Sequence, residues 1–149
     1  MKSNAATIAV DNTNDTSYPR KIQDIARTLR SWNGAVVITA HKDPDGDALG
    51  SALSLRRALA NLGKKTLLLP FIPPASLQFL AKKHEIRGEL KKLPKQTLLI
   101  VLDVSEKSRA WGVPQHDGKF TGACFVINID HHGTNERFGD IHCVMPGFA

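Results

Sequence analysis

Three short groups of residues in this chain can do acid–base or metal chemistry, and each one closes an apolar run. The first is His41-Lys42-Asp43-Pro44-Asp45-Gly46-Asp47, one imidazole and three carboxylates within seven residues. The second is Asp103, and the third is Asp130-His131-His132. Carboxylates packed this closely repel, and unless positive charge sits among them one or more takes up a proton. A divalent cation is the natural counter-charge. Imidazole nitrogen with mostly carboxylate oxygen suits manganese and, less selectively, magnesium, iron or cobalt, and is less typical of structural zinc. With five candidate ligands, two ions are expected rather than one. Such a pair, roughly 3.5–4 Å apart, activates a bridging water for in-line phosphoryl displacement.

Each residue also has a plainer reading. Pro44-Asp45-Gly46 is a common turn, and Asp47 can serve as the N-cap of a following helix. Asp103 alone suits a cap or turn, His131-His132 a surface pair, and His116 and His142 isolated surface histidines. The conjunction of the three groups at strand ends favours a site.

The elements that must position them follow from periodicity. Ile22, Ile25, Ala26 and Leu29 fall at helical spacing, with Asn33-Gly34 as the stop. Residues 35–40 form a β-branched apolar run suited to a strand buried on both faces. After the 41–47 turn, Ala48, Ala52, Leu55, Leu59 and Leu62 make an apolar helical stripe that ends at Gly63. Strands are expected at 65–69, 98–102 and 125–129, a short helix at 75–82, and an irregular basic segment up to Pro94. This order predicts an α/β fold, a Rossmann-like three-layer domain with a mainly parallel β-sheet. In such sheets ligands bind beyond the carboxyl ends of the strands. His41, Asp103 and Asp130-His131 are all expected there, aimed by the restricted Pro44 and the permissive Gly46.

Composition bounds the rest. A length of 149 residues with 42% hydrophobic residues suits about one domain with its own core. No apolar run approaches the roughly 18 residues of a membrane helix, and residues 1–18 read as a disordered polar tail without the apolar core of a secretory signal. A cytoplasmic protein with no membrane partner is expected, with Cys124 and Cys143 as reduced thiols. The net charge of +6 favours polyanions such as nucleotides or RNA. A dinucleotide-binding reading fails, because no G-x-G-x-x-G follows the first strand.

His41-x-x-x-Asp45-x-Asp47, Asp103 at a strand end, and Asp130-His131-His132 together resemble the first three motifs of the DHH phosphoesterases. The run His-Lys-Asp-Pro-Asp-Gly-Asp-Ala-Leu-Gly-Ser at 41–51 resembles the branch of nano-RNases that degrade short oligoribonucleotides and remove the 3′-phosphate of pAp. The segments Pro74–Leu80 and Phe138-Gly139-Asp140 are similar to that branch as well. The resemblance implies that His41, Asp45 and Asp103 hold one metal and that Asp47, Asp103 and His131 hold a second, Asp103 bridging. It implies support from Asp43 and Asp130, and a role for His132 at the substrate phosphate or leaving group. Asp45, Asp47, Asp103 and His132 are thus the catalytic set, and two manganese ions, with magnesium or cobalt as substitutes, the cofactor. Lys42, Lys107 and Arg109 lie near strand ends, where positive charge could meet phosphate, although each reads more readily as a solvated surface cation.

The family's fourth motif, a downstream aspartate, and its C-terminal substrate-binding domain find no counterpart up to Ala149. Residues 19–149 are therefore expected to be the N-terminal domain of such an enzyme, truncated before both. Short RNA or a nucleotide is the expected partner, with a homodimer left open. The alternatives are an inorganic pyrophosphatase-like member of the same superfamily and a non-catalytic remnant that binds metal or nucleotide.

Overall fold

The computed structural model describes residues 18–68, 73–87 and 89–146. Helix α1 (Tyr18–Ser31) leads into strand β1 (Val36–Thr39), helix α2 (Gly46–Asn61) and strand β2 (Thr66–Leu68). Strand β3 (Thr97–Leu102) follows, then a small antiparallel hairpin of β4 (Gln115–His116) and β5 (Lys119–Phe120), and finally β6 (Ala123–Asp130) and β7 (Ile141–Val144). The five long-range strands pair in the order β2-β1-β3-β6-β7, and every pairing is parallel. The expected tail, up to residue 17, and the end of the expected strand at Leu69 lie outside the described residues.

Alternation along the central strands sorts side chains to two apolar layers. Val36, Ile38, Leu98, Ile100 and Ile127 face α1 and α2, packing with Ile25, Leu49, Leu53 and Leu59. Val37, Leu99 and Val101 face the other way, onto Leu93, Val104, Ala110, Val113 and Phe138. That second layer is built of loops and the β4–β5 hairpin, so the sheet is covered on both faces, as an all-parallel sheet requires.

Several local expectations change. The N-cap of α2 is Asp45, whose Oδ1 accepts from the backbone N of Asp47 and Ala48 at 3.0 Å each, so Asp47 already lies inside the first turn. Leu62 lies beyond the helix end and is exposed, while Leu49 and Leu53 take its place in the core. Ile22 is likewise exposed. The 75–82 helix is a 3-10 turn, Ala75–Leu80. Strand β7 was not anticipated, because residues 131–140 reach it without a helix. Asp140 accepts from the Val126 N at 2.7 Å and its own N donates to the Val126 O, which pins the start of β7 beside β6. His142 consequently sits half-buried on a strand rather than on open surface, and burial holds its ring below the ordinary histidine range. His116 is exposed as expected, in the hairpin beside Asp117.

The basic segment after β2 is anchored by one buried acid. Glu85, 2% exposed, accepts a two-pronged contact from Arg57 (Nε 2.9 Å, Nη2 2.8 Å) and bonds from Arg56 Nη1 and the Lys82 N. The Arg57 hydrogen bonds above all hold its carboxyl at about 2, below the ordinary 4.5. A depressed acid stabilises the fold above its unfolded pKa, and the contribution is lost as pH falls through the folded value. Glu85→Gln is therefore expected to lower unfolding free energy by on the order of 2–3 kcal/mol at pH 7. In urea unfolding the difference from wild type should shrink as pH falls from 4.5 towards 2. A pH-independent difference would show that the charge is not the cause.

Candidate metal centre

The parallel register brings the carboxyl ends of β1, β3 and β6 to one edge, and the three residue groups follow those ends. Asp103 comes directly after β3 with φ 55°, a left-handed conformation uncommon for a non-glycine residue, fixed by its N donating to the Ile129 O at 3.0 Å. Its side chain is 7% exposed, and Oδ1 is buried without a hydrogen-bond partner among the described residues. Imidazole nitrogens approach it, His131 Nε2 at 3.2 Å and His132 Nδ1 at 3.5 Å, but not in hydrogen-bonding geometry. Burial, with the neighbouring charges of Asp45 and Asp47, pushes the Asp103 carboxyl above its usual range.

Two groups of potential ligand atoms share this carboxylate, with the atoms of each group within 4.8 Å of one another. One is His41, Asp45 and Asp103; the other is Asp103, Asp130, His131 and His132. His41 lies 2.7 Å through Nδ1 from the Lys42 O, an atom that only accepts. The proton therefore sits on Nδ1, and the Nε2 lone pair faces Asp103 Oδ2 at 3.6 Å. Nε2 of His131 lies between Asp103 Oδ1 and Asp47 Oδ2, 3.6 Å from the latter. Lone pairs and carboxylate oxygens facing one another at these distances repel unless a proton or a cation lies between them. The donor set therefore fits a divalent cation. Asp45 can serve while capping α2, because only its Oδ1 is used by the cap.

The supporting contacts differ from those expected. Asp130 Oδ1 lies 2.7 Å from His132 Nδ1, and Oδ2 accepts from Asn135 Nδ2 at 2.6 Å. The acid thus orients His132 rather than His131. Burial pushes the Asp130 carboxyl up, but the bonds from Asn135 and His132 outweigh it and hold it below its usual range. In return, that hydrogen bond raises the His132 ring above the ordinary histidine value. Asp43, at φ 53°, is exposed and makes no hydrogen bond or ion pair among the described residues.

Asn128 and Asn135 are the participants that sequence reasoning missed. Asn128, fully buried on β6, donates to the Val104 O at 3.1 Å and accepts from Asn135 Nδ2 at 2.9 Å, tying the loop after β6 to the loop after β3. An asparagine inside an apolar strand two residues before an acid was the available signal. Of the cations, Lys42 lies over the Trp111 ring at 4.9 Å and Lys107 over the Phe138 ring at 6.0 Å. A cavity of about 280 Å³ opens beside Asp47, Asp103 and His131, walled by Tyr18, Ile22 and Met145. Among the described residues, no helix is long and apolar enough to cross a membrane.

Residues 35–146 match the DHH family, N-terminal domain. The chain is 44% identical over 138 residues to the bifunctional oligoribonuclease and PAP phosphatase NrnA of Thermus thermophilus, covering 93% of this chain and 40% of that protein. It is 26% identical over 119 residues to NrnA of Bacillus subtilis, covering 79% and 35%. The chain thus spans about two-fifths or less of the length of these curated relatives. An exopolyphosphatase-related protein from Bacteroides fragilis shares the fold, with a TM-score of 0.67 at 22% identity over 85% of this chain and 39% of that one. With the family's match spanning the three strand ends that carry the acids and histidines, the chain belongs to the DHH family, as its N-terminal domain.

Proposed function

We propose that this chain is the metal-bearing domain of a cytoplasmic hydrolase that cleaves short oligoribonucleotides and removes the 3′-phosphate of pAp. The observation that carries the reading is Asp103, a buried carboxylate on a strained backbone, with one oxygen unpartnered among the described residues, and shared by two ligand groups. His41, Asp45 and Asp103 would hold one cation, and Asp47, Asp103 and His131 the other, with manganese preferred for this oxygen-rich, imidazole-containing set. Bound there, divalent cations supply the Lewis acidity that polarises a phosphoryl oxygen and lowers the pKa of water. The protein's own part is positional and protonic. Asp130 holds the Nδ1 proton of His132, which leaves Nε2 to meet the phosphoryl or leaving-group oxygen, and the bond to Asp130 favours the protonated ring. Relatives whose names state oligoribonuclease and PAP phosphatase activity support the substrate class.

The test is turnover of a diribonucleotide, of pAp and of pyrophosphate by this chain with manganese, with and without chelator. Chelator-sensitive release of mononucleotide from the first and of phosphate from the second is expected. Turnover of pyrophosphate alone would favour a pyrophosphatase instead. No turnover of any of the three at high protein concentration would contradict catalysis by this chain.

A further inference from the structure

We propose that Arg109 is the residue that grips the scissile phosphoryl group, an inference that rests on the phosphoesterase reading and adds to it a substrate-binding side chain. The loop after Asp103 is tied down at both ends. On one side the Glu136 N donates to the Ser105 O at 2.9 Å, and Glu136 Oε2 accepts from the Lys107 N at 3.1 Å. On the other, the Trp111 N donates to the Ala40 O at 2.9 Å, and the Thr39 hydroxyl to the Trp111 O at 2.6 Å. Between these ties Ala110 forms an antiparallel bridge with His41. Arg109, one residue earlier, closes the 3-10 turn Lys107–Arg109 with its N donating to the Glu106 O. Its backbone is therefore fixed beside the first candidate metal ligand.

The state of the side chain distinguishes Arg109 from its neighbours. Lys42 and Lys107 lie over aromatic rings, and Arg56 and Arg57 are held by Glu85. Arg109 is exposed and has no hydrogen-bond or ion-pair partner among the described residues. A guanidinium is a planar fork that binds phosphate oxygens in pairs, and its strongest contacts are charge-assisted. A phosphoryl group bound at the cluster beside His41 would present non-bridging oxygens to that fork. The cluster itself is rich in carboxylates, so an anionic substrate needs a cationic side chain at its rim in addition to the metal ions.

The test measures pAp binding by calorimetry and pAp hydrolysis by the manganese-loaded chain, in wild type, Arg109→Ala, Arg109→Lys and Arg27→Ala. The last removes an exposed guanidinium from α1, where its partner is Asp24, and controls for net charge. Arg109→Ala should weaken pAp binding at least about tenfold and Arg109→Lys less, because lysine keeps the charge but not the fork. Arg27→Ala should bind as wild type does. Added guanidinium ion should restore part of the Arg109→Ala activity, which a purely structural role would not allow, and manganese affinity should stay unchanged. Equal pAp affinity and equal hydrolysis in wild type and Arg109→Ala would overturn the assignment while leaving the phosphoesterase reading intact. If wild type neither binds nor hydrolyses pAp, the pAp part of that reading fails and this inference falls with it.

Discussion

Asp103→Ala is expected to reduce manganese-dependent hydrolysis by on the order of a thousandfold or more, about 4 kcal/mol of transition-state stabilisation. No other described residue belongs to both ligand groups, so its removal disables both. Asp103→Asn should separate function from stability. Without divalent cation the wild-type carboxylate is buried, faces Asp45 and Asp47, and is held at φ 55°. Its raised pKa means that the fold disfavours the ionised form, so at neutral pH the charge subtracts stability, and the deficit is relieved as pH falls. Asparagine removes the charge and tolerates the left-handed conformation. Asp103→Asn should therefore unfold at a higher temperature than wild type in chelator. It should also lose the rise in melting temperature that manganese gives wild type. Thermal denaturation with chelator and with manganese reads both effects. A variant less stable than wild type in chelator would show that the Asp103 charge is satisfied within the protein.

Gly34→Ala is expected to be the most damaging single-methyl change in the scaffold. A Cβ at residue 34 would stand 2.0 Å from the backbone O of Gln96 and 2.9 Å from Trp32 Nε1. Neither can withdraw cheaply. Gln96 is in the left-handed region at φ 55°, its carbonyl accepts from Trp32 Nε1 at 3.0 Å, and two residues later the Leu98 N donates to the Ala35 O. The methyl would force β1 away from β3 where their pairing begins, at a cost of about 3 kcal/mol, or roughly 10 °C in melting temperature. Because β1 and β3 carry His41 and Asp103, manganese affinity should fall as well. Gly50→Ala, with nothing within 4 Å of its new Cβ, is the control and should be neutral or slightly stabilising. Unchanged melting of Gly34→Ala would mean that the β1–β3 junction can move apart.

Where the sequence was legible, short-range physics decided the outcome. Strands β1 and β3 are continuous apolar runs because both of their faces are covered, and the parallel order followed from the helical stripe of α2 between two such runs. The edge of convergence followed in turn, since ligands gather beyond the carboxyl ends of parallel strands. What escaped depended on contacts between distant residues. Strand β7 is held beside β6 by the Asp140 carboxylate and the Val126 N, a pairing with no periodic signature. The cap of α2 fell on Asp45 rather than Asp47, because either aspartate satisfies a capping pattern and only the turn geometry separates them. Asn128 and Asn135 join two loops through one amide, and Asp130 turns towards His132, choices that become visible only when β3 and β6 lie side by side.

The central claim, that three strand ends build one metal centre around Asp103, is tested most directly by titrating manganese into the chain and into Asp103→Asn, with free ion followed by electron paramagnetic resonance. Saturable binding to wild type, displaced by chelator and lost in Asp103→Asn, is the expected result. Wild-type chain that leaves all manganese free, or an Asp103→Asn variant that binds as wild type does, would contradict the account.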